Sequence, residues 1–407
     1  MRNDLYDRTV KCIRCGFCLE ACPTFVLTGQ ETESPRGRIY LVRSAIENQI
    51  GWSEEVQAHL DSCLGCRACE TACPSGVQYG SILEMARESL ESKRLRTWKQ
   101  RWARKTLIKT LTRPNRLRLQ TAVARKLGIK KTPFALSRHL SSDEQEATLP
   151  IPETGKWPQS EYPKPTRQVY FLQGCAMRAL FKTTNAATVD LLRRHRCEVI
   201  ISRSAGCCGA LATHVGLADE GRKLARSLID SMPKDIPVIT NSAGCGSAMK
   251  EYGHLLENDR HYAEKAVRFA NRVKDISEFL YESGFVPPKA STPMRVAYHD
   301  ACHLAHGQGV RSQPRELLAL LPGIDLIELE EADRCCGSAG VYNLTQPRLA
   351  RELLERKWNF IEEAKPDVVA TGNPGCLAWI AQAAIEHRSA IQVKHTAVVL
   401  AEAYLKD

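Results

Sequence analysis

No stretch of this 407-residue chain approaches 18 consecutive apolar residues, so nothing in it reads as a membrane-spanning helix. The first residues, MRNDLYDRTVKC, lack the apolar core and small-residue cleavage site of a secretory signal. The expected compartment is therefore reducing, on the cytoplasmic side, where thiols stay free rather than pairing as disulfides. The glycine fingerprint G-x-G-x-x-G after a strand is missing, which argues against a dinucleotide cofactor on this chain. Acidic residues are missing from 93–131, which carries 15 Lys and Arg and no Asp or Glu. The whole chain is only +11, so the rest is net acidic and one segment makes the protein basic. At 43% hydrophobic and 25% charged residues, the composition is that of a globular protein of two or three domains.

What the chain has in excess is cysteine, 17 in all. Eight fall in two copies of C-x2-C-x2-C-x3-C-P: Cys12, Cys15, Cys18, Cys22 with Pro23, and Cys63, Cys66, Cys69, Cys73 with Pro74. That spacing is the ligand run of paired [4Fe–4S] clusters, in which the fourth cysteine serves the other cluster. One cluster is therefore assigned to Cys12, Cys15, Cys18 and Cys73, the other to Cys63, Cys66, Cys69 and Cys22. Zinc is the alternative for C-x2-C pairs, but it takes four ligands, whereas each run offers three close thiols and a fourth set apart.

The last 240 residues or so repeat. Val169–Cys175 aligns with Val296–Cys302, Cys207-Cys208-Gly209 with Cys335-Cys336-Gly337, and the run ending at Cys245 with that ending at Cys376. The offsets are 127, 128 and 131 residues, a domain duplication rather than a solenoid. Apolar runs near 168–173, 197–202 and 236–241, and near 294–299, 325–329 and 367–371, read as strands. They alternate with helical patterns such as 179–194 and 217–232, where Leu224, Leu228 and Met232 share a face. The fold class is thus α+β overall: a helical two-cluster part, then a duplicated α/β unit with parallel strands. The cysteines fall in loops after strands, where open α/β sheets bind ligands. Cys175, Cys207, Cys208, Cys245 and Cys302, Cys335, Cys336, Cys376 form two four-thiol sets, each able to hold a further iron–sulfur cluster or a zinc. A reduced dithiol is the plain alternative. Cys197, in an apparent strand, reads as an inert buried thiol. His299, Asp300 and His303 flank Cys302; a packed, hydrogen-bonded histidine is the commoner role, a ligand or proton carrier the rarer one. His214 and His306 carry no stronger signal.

The expected organisation is 1–90, the two-cluster part; 91–131, a basic connector; 132–167, a Pro-rich linker; 168–290 and 291–407, the two cysteine-rich halves. In the connector, Leu95, Trp98 and Trp102 recur at helical spacing among cations, and Pro114 should break it into two helices. Trp98 and Trp102, with Lys99, Arg101, Arg104 and Lys105, suit a helix lying on an anionic membrane or on a partner. The alternatives are tryptophans packed on the chain's own domain, or a nucleic-acid patch.

The cysteine sets resemble the "CCG" domains of heterodisulfide reductase and related subunits, whose last element is usually C-x-x-C; Ser242 and Asn373 stand at the first of those positions here. Over nearly the whole chain, ESPRGRIYL (33–41), DSCLGCRACETACPSGVQYG (61–80), AGCCGAL (205–211), NSAGCG (241–246), YHDACHLAHGQ (298–308) and CCGSAGVYN (335–343) are similar to the iron–sulfur subunits of bacterial glycolate oxidase. The anaerobic glycerol-3-phosphate dehydrogenase subunit shares the architecture and lactate-utilisation subunits share the CCG half, but neither resembles these strings as well. The resemblance implies an electron-transfer subunit without catalytic residues of its own. A partner subunit would hold FAD and oxidise glycolate to glyoxylate; this chain would pass the electrons toward a membrane acceptor such as quinone, as a peripheral protein of the cytoplasmic membrane. The rival readings are a heterodisulfide-reductase-like catalyst, disfavoured by Ser242 and Asn373, and a non-catalytic iron–sulfur protein binding nucleic acid, for which eight to sixteen ligand cysteines are excessive.

Overall fold

The computed structural model describes residues 2–126, 162–201, 205–233 and 235–406. The predicted Pro-rich linker lies largely outside them. The N-terminal part is helical. Its helix Pro35–Ile46 starts on proline, and Ser34 caps it by accepting the Gly37 N–H at 2.9 Å. Only glycine fits at 37, since a Cβ there would lie 1.9 Å from the Glu31 carbonyl oxygen. Helix Tyr79–Lys93 closes the part, burying Ile82, Leu83, Ala86 and Leu90 along one face, and runs through the expected boundary at 90. The basic connector forms two helices, Trp98–Leu111 and Pro114–Lys126, parted at Pro114 as expected.

Each cysteine-rich half carries four parallel strands. The first half has β1 Arg167–Leu172, β2 Cys197–Ile200, β3 Val238–Thr240 and β4 Val273–Asp275, in the order β2-β1-β3-β4. The second has β5 Met294–Tyr298, β6 Ile324–Glu328, β7 Val368–Thr371 and β8 Gln392–His395, in the order β6-β5-β7-β8. In both, the chain leaves the first strand to one side and returns on the other, so a topological switch lies between β1 and β3 and between β5 and β7. The central strands are continuous apolar runs: Val169 to Leu172, β3 and β7 are buried throughout, as strands covered on both faces must be. Sequence reading missed β4 and β8. Each is three or four residues, holds a lysine, and sits at a sheet edge, where no apolar run is needed.

The two halves share one core. Val169, Phe171 and Leu191 of the first pack in a single apolar cluster with Val296, Tyr298 and Val368 of the second. The C-terminal helix Thr396–Ala403 completes it. The loops after β3 and β7 also touch, Ala243 N–H donating to the Gly372 carbonyl at 3.1 Å. The helical part is seated on both halves. Tyr342 donates to the Ser62 carbonyl at 2.9 Å, Arg87 to the His214 carbonyl at 2.7 Å, and Arg67 pairs with Glu251.

Candidate metal centres

The two N-terminal cysteine loops fold alike. Between their first and third cysteines, Arg14 (φ 58°) and Gly16 (φ 92°) in one, Gly65 (φ 67°) and Arg67 (φ 68°) in the other, occupy the left-handed region. They stand at the same two loop positions. A side chain there costs about 1–2 kcal/mol, and the strain curls the backbone around a common centre. Backbone N–H groups then turn onto sulfur: Gly65 donates to Cys63 Sγ at 3.4 Å and Val77 to Cys73 Sγ at 3.5 Å.

Two recesses result. The first, about 400 Å³, is lined by Cys12, Cys15, Cys18 and Cys73, with Arg36 and Cys69 at its wall. The second, about 290 Å³, is lined by Cys22, Cys63, Cys66 and Cys69, with Arg38 in its wall. The fourth cysteine of each run thus lines the other run's recess, and Cys69 lines both. All eight are free thiols, and an all-thiol donor set in a pre-curled loop fits a [4Fe–4S] cluster.

The surroundings differ. At the first recess Cys15 is exposed, and Ile13 and Phe17 beside it are each 69% exposed. At the second, Cys22, Cys63, Cys66 and Cys69 are all buried, and Tyr79 donates to Cys63 Sγ at 3.6 Å. Arg38 is fully buried there. It donates to Glu33 Oε2 at 2.5 Å, the Glu33 carbonyl at 2.6 Å, the His59 carbonyl at 2.7 Å, Ser62 Oγ at 2.8 Å and Thr24 Oγ1 at 3.1 Å. Sequence reading quoted SPRGR but missed this role, because the acceptors come from three segments.

In the halves, the thiols sit at the carboxyl ends of the strands beside the switch. Cys175 and Cys302 open short helices after β1 and β5. Cys245 and Cys376 lie in the first turns of helices Ala243–Lys250 and Pro374–Glu386. These four are therefore in helix N-terminal turns rather than loops. The paired cysteines are in loops, each followed by a left-handed glycine, Gly209 (φ 83°) and Gly337 (φ 91°).

Each set converges. Cys175 Sγ lies 3.6 Å from Cys207 Sγ, and Cys208 bridges Cys207 and Cys245. In the second half Cys335 touches both Cys302 and Cys336, and Cys336 touches Cys376. In the first half each of Cys207, Cys208 and Cys245 is pushed up by the thiol before it. In the second, Cys335 holds Cys302 well below the ordinary thiol value, helped by His303. Cys335 and Cys376, then His299, do the same for Cys336. Asn373 donates to Cys376 Sγ at 3.6 Å and accepts the Gly244 N–H at 3.3 Å, tying the two sets together. Cys197 is buried on β2, where burial raises its thiol to about 11, and belongs to neither set.

The histidines correct the sequence reading in part. His299 is buried, and neither ring nitrogen has an oxygen or nitrogen partner; what it acts on is the Cys336 thiol. His303 Nδ1 lies 3.5 Å from Cys302 Sγ. Asp300 is held by Arg315 at 2.6 and 2.9 Å. His214 pairs with Glu84 at 2.7 Å and His306 accepts from Arg311 at 2.7 Å.

In the connector, Trp98 and Trp102 are 73% and 66% exposed rather than packed on their own domain. Lys99 and Lys105 share their exposure, while Leu107, Ile108 and Leu111 pack on Ala212, Val215 and Val341. Arg101 is half-buried. Arg104 turns inward, donating to the Val215 carbonyl at 2.7 Å at a helix end and pairing with Glu91 at 3.2 Å, so it is not part of the outer face. No helix of the described residues is long and apolar enough to cross a membrane.

Comparison with known proteins agrees with this geometry. Residues 11–77 match the family model described as a 4Fe-4S dicluster domain, and residues 169–250 and 296–381 each match that described as a cysteine-rich domain. The chain is 38% identical to the probable glycolate oxidase iron-sulfur subunit of Bacillus subtilis, over 98% of this chain and 93% of that protein. It is 37% identical to the glycolate oxidase iron-sulfur subunit of Escherichia coli, over 91% and 89%. Lactate utilization protein A of Oceanobacillus iheyensis is 30% identical over 56% of this chain and 93% of its own length.

Proposed function

The chain belongs to the family of glycolate oxidase iron–sulfur subunits, electron-transfer members of an oxidoreductase complex, and from that premise we propose how its parts divide the work. A partner subunit bearing FAD oxidises glycolate to glyoxylate, and this chain carries the electrons onward to a membrane acceptor, quinone being the natural one. Cys12, Cys15, Cys18 and Cys73 hold one [4Fe–4S] cluster, and Cys63, Cys66, Cys69 and Cys22 the other. The two four-thiol sets of the halves hold further metal. Bound clusters supply single-electron steps at potentials set by hydrogen bonds to sulfur, net charge and exposure.

One observation carries the order of the parts. Cys66 packs in one apolar cluster with Cys302, Cys335, Leu64, Tyr342 and Leu353, so the second recess adjoins the thiols of the second half. The first recess instead meets solvent through Cys15, Ile13 and Phe17. Its exposed loop offers an apolar contact, with Arg14 held over the Tyr40 ring at 4.9 Å beside it, which suits docking of the flavin-bearing partner. The adjoining thiols behind it are shielded from water by the helical part seated on the halves.

The outer face of helix Trp98–Leu111 supports peripheral attachment to the cytoplasmic face of the membrane. Trp98, Trp102, Lys105 and Lys109 recur at intervals of three and four and are all exposed. Each lysine near an anionic leaflet contributes about 1 kcal/mol. Liposome flotation with Trp98→Ala, Trp102→Ala, Lys99→Gln and Lys105→Gln combined tests this; binding should fall while iron content holds, and unchanged flotation refutes it. For the relay itself, the isolated chain should not oxidise glycolate with a dye acceptor, and adding the partner subunits should restore the activity. Turnover of glycolate by the isolated chain would refute the division of labour.

A further inference from the structure

The aligned runs Val169–Cys175 and Val296–Cys302 put His299 where the first half has Leu172. Both side chains are fully buried. Leu172 suits its place, packing with Cys175, Cys207 and Cys208 in an apolar cluster. His299 brings two polar nitrogens into the equivalent place. A neutral imidazole has one donor and one acceptor to satisfy, and buried ones are normally paired. Neither ring nitrogen of His299 has an oxygen or nitrogen partner, and the one group it acts on is the Cys336 thiol. Its chain neighbour Asp300 is held by Arg315, and Asn373 bonds Cys376 and Gly244. What the ring does face is sulfur. One ring nitrogen, Cys336 Sγ and Cys376 Sγ all lie within 4.8 Å of one another, and all three residues are buried.

We propose that the second half holds its metal through a mixed set, an imidazole nitrogen of His299 together with the Cys336 and Cys376 thiolates, while the first half uses thiolates alone. Cys335, in contact with Cys336, and Cys302 beyond it are the remaining donors. Imidazole with thiolates suits a borderline-soft ion, either zinc or the iron of a cluster. Metal binding satisfies one ring nitrogen and fixes the other as the N–H. The two halves, alike in sheet order and thiol placement, are thereby made chemically different by one residue at the end of β5.

This inference rests on the reading that the second-half thiols bind metal, and the test separates the two. Full-length protein is purified without oxygen, and iron and zinc are quantified in the wild type and in Cys336→Ser; the metal lost in the variant is that of the second half. If it is zinc, its X-ray absorption should show a nitrogen donor at about 2.0–2.1 Å beside sulfur at about 2.3 Å. If it is iron, the paramagnetic signal lost in Cys336→Ser should carry a nitrogen coupling that changes on 15N-histidine labelling. His299→Leu, which copies the first half, should lose that nitrogen signature and most of the second-half metal, and His299→Cys should restore the metal without the nitrogen. The wild-type measurement does not depend on any variant folding. An all-sulfur shell in the wild type, or full metal with an unchanged spectrum in His299→Leu, overturns the mixed set while leaving metal binding intact. Equal metal in wild type and Cys336→Ser overturns both.

Discussion

The two N-terminal recesses are built from the same seven-residue loop with the same two left-handed positions, yet they face opposite surroundings. One is rimmed by exposed Ile13, Phe17 and Cys15; the other has four buried cysteines and adjoins the thiols of the second half. Helix Pro35–Ile46 gives an arginine to each. Arg36 lines the open recess, and its ion pair with Glu31 at 2.6 Å is partly exposed. Arg38 lines the closed one and is wholly buried. The ligand loop thus fixes what is held, and the chain outside the loop decides whether the site is a port or a conduit.

Exchanging the fourth cysteines breaks the comparison most severely. Cys22→Ser should abolish the cluster of the closed recess and spare the open one, and Cys73→Ser should do the reverse, read by iron content and EPR. Loss of the opposite signal would show that each run serves its own cluster. Next, Arg38→Leu removes the guanidinium from the buried Glu33 carboxylate, leaving it only Ser62 and His59, and should lower stability by about 3 kcal/mol. Arg36→Leu, at a partly exposed pair, should cost no more than about 1 kcal/mol. Denaturant unfolding of the two variants should show that gap; equal losses would mean that the recesses are not differently built. Ile13→Ala with Phe17→Ala should weaken partner binding by about 1–3 kcal/mol, the range of apolar anchors in an interface, without changing iron content. Calorimetric titration against the flavin-bearing partner checks this, and unchanged affinity would remove the docking role. The smallest change is Tyr342→Phe, which removes one hydrogen bond between helical part and second half and should cost about 1 kcal/mol by unfolding.

Much of this was legible in the sequence. Cysteine spacing alone grouped Cys22 with Cys63, Cys66 and Cys69, and the repeat offsets paired the two four-thiol sets. Central strands were visible because parallel strands buried on both faces are continuous apolar runs. Edge strands β4 and β8 were not, since polar VKD and QVKH carry no such signal. Arg38 could not be found because its partners Thr24, Glu33, His59 and Ser62 converge only in three dimensions. His299 looked like an ordinary packed histidine; its lack of oxygen or nitrogen partners depends on what β6 and β7 bring beside it. Arg104 shared the composition of the outer basic face, but helical phase turns it toward the Val215 carbonyl.

The central claim is that the closed recess hands on to the second half and not to the first. It is tested most directly by EPR of the fully reduced, anaerobically purified full-length protein. The signal assigned to the closed recess through Cys22→Ser should be broadened by magnetic interaction with a second paramagnet. The neighbouring open-recess cluster also broadens it, so the comparison is made in a Cys73→Ser background that lacks that cluster; there the remaining broadening should vanish on adding Cys336→Ser and persist on adding Cys208→Ser. Broadening that survives Cys336→Ser, or that disappears with Cys208→Ser instead, would contradict the account.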